Sequence, residues 1–198
     1  MSKKEETQVL NSAAETVNET AQEFAKRMQD EVDTYKENLE SIADVETLNT
    51  MESELMVEMD AFDAYIKDVR YTLPTSCEFE GTKYSKSDVA GKIIYFISKF
   101  EQTWQYVLGL YELCRIWKTN PDEVTFGVMD STLRLLDQCK FKGMSEWKDI
   151  LIINEFMKTN HEEYAKDTTK QIALGHKHND LMTRRDSLTG VTNDEVAE

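Results

Sequence analysis

Residues 10–42 read LNSAAETVNETAQEFAKRMQDEVDTYKENLESI, and the spacing of their apolar members decides the fold. Leu10, Ala14, Val17, Ala21, Phe24, Met28, Val32, Tyr35, Leu39 and Ile42 succeed one another in steps of three or four. The same stepping continues through Val45, Leu48, Met51, Leu55, Met59, Phe62 and Ile66 to Val69. A mean step of about 3.5 is the period of a coiled-coil seam, whereas a strand alternates every two residues. The pattern therefore predicts a long amphipathic N-terminal helix with Glu and Asp on its outer faces.

That helix is not uniform. Successive threes from Leu39 to Met51 shift the seam as stutters do, Thr47, Asn49 and Thr50 lower helix propensity, and Asn49 with Glu52 has capping-box spacing. A break near 44–50 is expected. The stripe must be buried on something, either the chain's own C-terminal body or another chain. Unbroken, some 60 residues reach roughly 90 Å at 1.5 Å per residue, which would carry the first half past a compact body. Val17, Phe24, Met28, Tyr35, Leu39 and Ile42 are accordingly the candidate partner-binding residues.

The rest of the 198-residue chain also reads as helical. With 40 % apolar and 31 % charged residues but only seven Gly and two Pro, it is short of the turn formers that an all-β domain needs. After Pro74 ends the arm, the apolar run Ile93, Ile94, Phe96, Ile97, Phe100, Trp104, Val107, Leu108, Tyr111, Cys114, Trp117 predicts one buried helix over 87–119. Asn120, Pro121 and Glu123 have the order of an N-cap, a first-turn proline and a capping-box acid, which predicts a helix over 121–140. Ser145 starts a last helix bearing Trp147, Ile150, Ile153 and Phe156.

Two pentads punctuate this body, CEFEG at 77–81 and CKFKG at 139–143. Each reads as an elbow between helices, with Cys on the core, Phe filling the gap and Gly in the left-handed conformation. Around the first, Ser85 and Asp88 have capping-box spacing, and a short β-hairpin near 77–84 is the most β structure expected. The whole is an all-α protein: an acidic arm over 1–70, a helical body over 71–180 and a flexible polar tail over 181–198.

Segment 136–150, LDQCKFKGMSEWKDI, resembles, through its Phe141-Lys142-Gly143 before a helix, turns in small helical structural and assembly proteins of tailed bacteriophages, including crAss-like phages. The resemblance implies a virion or capsid-assembly role and brings no functional residues with it.

Charge narrows the partners. Of the net −15, residues 1–70 hold 18 acidic against 7 basic side chains, 71–143 hold 9 against 9, and 144–198 hold 11 against 7. An acidic chain is repelled by phosphate backbones and anionic lipid, so neither nucleic acid nor membrane is expected as a direct partner. The N-terminal residues lack a signal-peptide apolar stretch, and Cys77, Cys114 and Cys139 lack C-x-x-C spacing, which points to a cytoplasmic protein with reduced thiols.

Chemistry is sparse. Phosphate-binding, dinucleotide, nucleophile-elbow and H-E-x-x-H motifs are absent from the sequence. His176, His178 and Asp180 form the nearest thing to a metal set, but His at i and i+2 of a helix lie about 200° apart and supply too few ligands. Glu112 with Asp122 is an acid–base pair only by composition, and Arg184-Arg185-Asp186-Ser187 matches a basophilic kinase motif of four residues. No cofactor is expected. The sequence reads as a non-enzymatic structural, assembly or adaptor protein that self-associates or joins a larger assembly through its N-terminal helix. An acidic inhibitor or nucleic-acid mimic binding a basic partner is the alternative, and a small metal-dependent hydrolase a third.

Overall fold

In a computed structural model, residues 19–99, 104–139 and 143–190 are described. They form six helices: α1 (Ala21–Ser41), α2 (Val45–Asp68), α3 (Lys86–Lys99), α4 (Trp104–Thr119), α5 (Phe126–Gln138) and α6 (Met144–Thr189). Four short strands accompany them: β1 (Arg70–Thr72), β2 (Ser76–Phe79), β3 (Thr82–Ser85) and β4 (Glu123–Thr125). The fold is all-α with two small antiparallel sheets, β1 with β4 and β2 with β3. The chain divides into two compact units, Met1–Phe62 with Ala165–Glu198, and Asp63–Tyr164. This cuts across the expected arm and body.

In the first unit the described part of the apolar stripe is packed within the chain. Helix α1 opens on a capping box, the Glu23 amide donating to Thr20 Oγ1 (3.3 Å) and the Thr20 amide to Glu23 Oε2 (2.9 Å). It ends at Ile42, and Asp44 starts α2 by accepting from the Thr47 amide at 2.7 Å. The break thus falls at 42–44, capped by Asp44 instead of Asn49. Met28 and Val32 pack with Ala173, and Leu39 and Leu48 with Leu181. Partners climb along α1 and descend along α2, where Lys170 pairs with Glu58 and Arg185 with Glu52. The C-terminal half of α6 therefore runs parallel to α1 and antiparallel to α2. Leu181 is fully buried, so 181–189, expected as a flexible tail, are the closing turns of a helix whose apolar positions the polar composition of RRDSLT conceals.

Arg184 closes this unit chemically. No basic residue lies in the last turn of α1, yet the Arg184 guanidinium donates to the carbonyls of Glu40 (3.2 Å) and Ile42 (2.6 and 3.2 Å). These are the carbonyls that a helix end leaves without intrahelical donors. The Tyr35 hydroxyl has no such luck: it is enclosed without a hydrogen-bond partner among the described residues, and burial, with Asp180 and Glu54 nearby, pushes its pKa up to about 12.

The second unit corrects three further expectations. Instead of one helix over 87–119, α3 and α4 are separate and pack on each other; an apolar run of that length hides more surface folded back on itself than as a single post. Residues 100–103 lie outside the described set. At 120–125 the supposed helix start is a helix stop: Asn120 sits at φ 52° after α4, its amide donating to Trp117 O at 3.1 Å. Asn is among the few side chains that tolerate this conformation. Val124 then pairs with Tyr71 in the β1–β4 sheet, and Thr125 is the N-cap of α5, accepting from the Val128 amide at 3.3 Å.

The pentads are not two copies of one elbow. CEFEG forms the β2–β3 hairpin, in which Glu80 and Gly81 occupy a two-residue loop at φ 49° and 72°, the positive pair of a type I′ turn. In the second, Cys139 is the C-cap of α5, 140–142 lie outside the described residues, and Gly143 is not among the positive-φ positions. The Ser85–Asp88 capping box does form, with the Ser85 amide on Asp88 Oδ2 at 2.9 Å and the Asp88 amide on Ser85 Oγ at 3.2 Å.

Trp117, Phe96, Ile93, Met129, Ile153 and Phe156 make the core of this unit. The buried Trp117 indole donates to Thr132 Oγ1 at 3.0 Å, and Tyr164 stacks obliquely on Phe126 while donating to Asp130 at 2.8 Å. Three substitutions test these assignments by urea unfolding. Arg184→Met and Thr132→Val should each cost about 1–3 kcal/mol by stranding polar groups, whereas Tyr35→Phe should be neutral or stabilising because its hydroxyl gains nothing in the folded state.

Candidate protein-docking surface

The residues with the most chemistry in the sequence are taken up by structure. Cys77 Sγ donates to the Ile152 carbonyl at 3.7 Å and Cys139 Sγ to that of Leu135 at 3.2 Å. All three thiols are half-buried, and burial is the first cause holding each pKa above its usual value. A thiol so placed is a poor nucleophile, since reactivity belongs to the thiolate.

Carboxylates proposed as a pair are kept apart. Glu112 pairs with Arg115 on its own helix, and Asp122 with Lys86. Each acid has its pKa lowered, first by the hydrogen bond from that cation, so neither is poised to carry a proton near neutrality. Among the described residues no group of three or more His, Cys, Asp or Glu is placed to share a metal ion. Arg184 and Arg185 of the kinase-like motif are engaged with Ile42 and Glu52 inside a helix.

The candidate partner-binding residues of the N-terminal helix face inward. Met28 and Leu39 are buried, and Phe24, Tyr35 and Ile42 are half-buried against the same two clusters; Val17 lies outside the described residues. The cause is α6, whose C-terminal half supplies the partner that the sequence left open. Grooves beside α1 are shallow and their charges are spoken for: the one of about 350 Å³ over Phe24 and Met28 is edged by Lys170 and Lys177, which pair with Glu58 at 3.7 Å and Glu31 at 3.6 Å.

Large apolar side chains stay open on both units, Met56, Val57 and Ile172 on the first, and on the second chiefly those of α4. Val107 is 40 %, Leu108 79 % and Tyr111 70 % exposed. At 100° per residue these three span an arc of about 100° over little more than one turn, one coherent face. The opposite side, Leu113 and Trp117, is buried in the core. Beyond Tyr111 the same face continues into the Glu112–Arg115 pair. Exposed Met144 and Tyr95 lie near the end where α3 meets the start of α6, fixed by hydrogen bonding of Tyr95 to Glu146 at 3.1 Å and by the Lys99–Glu146 ion pair.

Sequence reading missed this surface because it assigned the whole run 93–117 to the interior. Its signal was present in the apolar residues standing on every side of the helix, more than one burial face can hold. No described helix is long and apolar enough to cross a membrane. Comparison with family models, with curated proteins and with solved structures finds no match for this chain.

The thiol assignment has a direct check. Cys77, Cys114 and Cys139 should alkylate with iodoacetamide more slowly than free cysteine at about pH 7, accelerating as the pH rises toward their raised pKa values. A thiol that outpaces free cysteine at that pH would restore a nucleophile to consideration.

Proposed function

We propose that the chain is a non-enzymatic helical assembly or adaptor protein that works through protein–protein contacts. The observation that carries this reading is the exposed Val107–Leu108–Tyr111 face of α4. Monomeric proteins seldom leave large apolar side chains grouped in water without a use for them, and an aromatic and aliphatic centre edged by charged pairs has the composition of a contact site. The resemblance of 136–150 to phage turns gives the reading its most concrete form, a virion or capsid-assembly component.

A second reading draws on α2, where seven acidic side chains stand against Lys67 alone. An acidic mimic would present that helix to a basic nucleic-acid site. The engagement of Glu52 and Glu58 by cations of α6 weakens it.

The deciding experiment is affinity purification from the native source with tagged wild type and a Leu108→Asp/Tyr111→Asp double variant. Both substituted side chains are mostly exposed, so the variant should keep its helical circular dichroism and lose the wild type's partners, by at least ~10-fold in recovery. Equal recovery from both would remove α4 from the reading. Displacement of those partners by added DNA would favour the acidic mimic.

A further inference from the structure

We infer that α1 is a hinged arm, opening about residues 42–44 to leave α2 and α6 while the second unit stays folded. The inference does not lean on the α4 face. It concerns the other apolar stripe, which is covered when the arm is closed and presented when it opens.

The link has the build of a hinge. Helix α1 ends on Ile42 in an extended conformation (φ −85°, ψ 127°), with the Ile42 amide donating to Leu39 O at 3.1 Å and the Ser41 hydroxyl to Asn38 O at 2.7 Å. Helix α2 starts on its own cap, Asp44 accepting from the Thr47 amide and hydroxyl at 2.7 and 2.8 Å. Both helix ends are thus served by local residues, and φ/ψ changes between them cost neither helix a turn. Helices α2 and α6 each contribute residues to both units, whereas α1 belongs wholly to the first.

The closed arm is held thinly. Met28, Val32 and Leu39 are the buried residues of α1, and they are divided between two separate clusters that α6 completes with Ala173 and Leu181. Helix α5, by contrast, sends Phe126, Met129 and Leu136 into one continuous core. Closure also encloses the Tyr35 hydroxyl without a partner among the described residues, and opening returns it to water. Charge opposes closure as well, since α1 and α2 together carry 13 acidic against 4 basic side chains and like charges repel. The pair of Glu31 with Lys177 is long, at 3.6 Å, and Glu31 is 43 % exposed, so it adds little. The directional hold comes from Arg184, whose guanidinium spans the carbonyls of Glu40 and Ile42 at the hinge itself. One side chain is the latch.

Native-state hydrogen exchange of the full chain, read peptide by peptide by mass spectrometry, tests this. A 21-residue helix without tertiary cover is marginal in water, so the amides of the arm exchange whenever it opens. Those of 21–41 should be protected at least ~100-fold less than those of 126–138 and at least ~10-fold less than those of 48–62. Arg184→Met should speed exchange over 21–41 at least ~10-fold and leave 126–138 unchanged, and Tyr35→Phe should slow it about 5-fold.

Equal protection over 21–41, 48–62 and 165–189 overturns the arm, because the unit then opens as a whole. Protection of 21–41 equal to that of 126–138 overturns any separate opening. An Arg184→Met chain that exchanges faster over 126–138 by the same factor as over 21–41 overturns the latch. If that variant does not fold, the wild-type comparison and Tyr35→Phe decide, and faster exchange over 21–41 in Tyr35→Phe overturns the inference.

Discussion

Arg184 donates to the last carbonyls of a helix that lies more than a hundred residues earlier in the chain, and the first unit depends on that contact. A helix end turned toward neighbouring structure must find donors for its terminal carbonyls. Here the Ile42 amide and the Ser41 hydroxyl serve the carbonyls of Leu39 and Asn38, Arg184 serves those of Glu40 and Ile42, and the short connection 42–44 leaves no room for a capping turn of the usual glycine kind. The guanidinium supplies fixed, paired donors together with a positive charge at the negative end of the helix dipole. One side chain thereby fixes the axial register of α6 against α1, the register in which Leu181 meets Leu39.

Around that contact the electrostatics divide between the three packed helices of the unit. Acidic α1 and α2 would repel each other along their length, and α6 offsets this with Lys170, Lys177 and Arg185 at Glu58, Glu31 and Glu52. Partly exposed pairs of this kind are worth about 0–1 kcal/mol each. They select which helix may lie in the groove more than they hold it there. The hold comes from Leu39, Leu48 and Leu181, which are almost wholly withdrawn from water.

The all-α class, the seam and the break between α1 and α2 were legible because each is written in local spacing: steps of three and four, then a loss of propensity. The partner of the seam was not, since α6 carries its apolar positions Ala173, Leu174 and Leu181 among lysines and histidines that look like surface. At Asn120-Pro121 the local signals read as a helix start, whereas Asn120 in fact ends a helix at φ 52° and Val124 is drawn into pairing with Tyr71, a long-range partner that local spacing does not carry. The two Cys-x-Phe-x-Gly pentads look alike as strings, yet one has a strand to pair with and the other follows a helix. The α4 face was hidden by a rule that holds on average, that a helix apolar on all sides is buried.

The discontinuity of the first unit has a bearing on synthesis. Residues 63–164 are contiguous and form a compact unit of their own, so they can collapse as soon as they leave the ribosome. Helices α1 and α2 emerge earlier, and although Leu39 and Leu48 can meet each other, both clusters must wait for 165–190 to bring Ala173 and Leu181. Throughout that interval part of an apolar stripe is in water without its final cover. Its flanking Glu and Asp residues then act as gatekeepers, keeping nascent chains from one another by charge until the last helix arrives. The acidity of the N-terminal third thus has a role in time as well as in space, and it is greatest in the segment that waits longest.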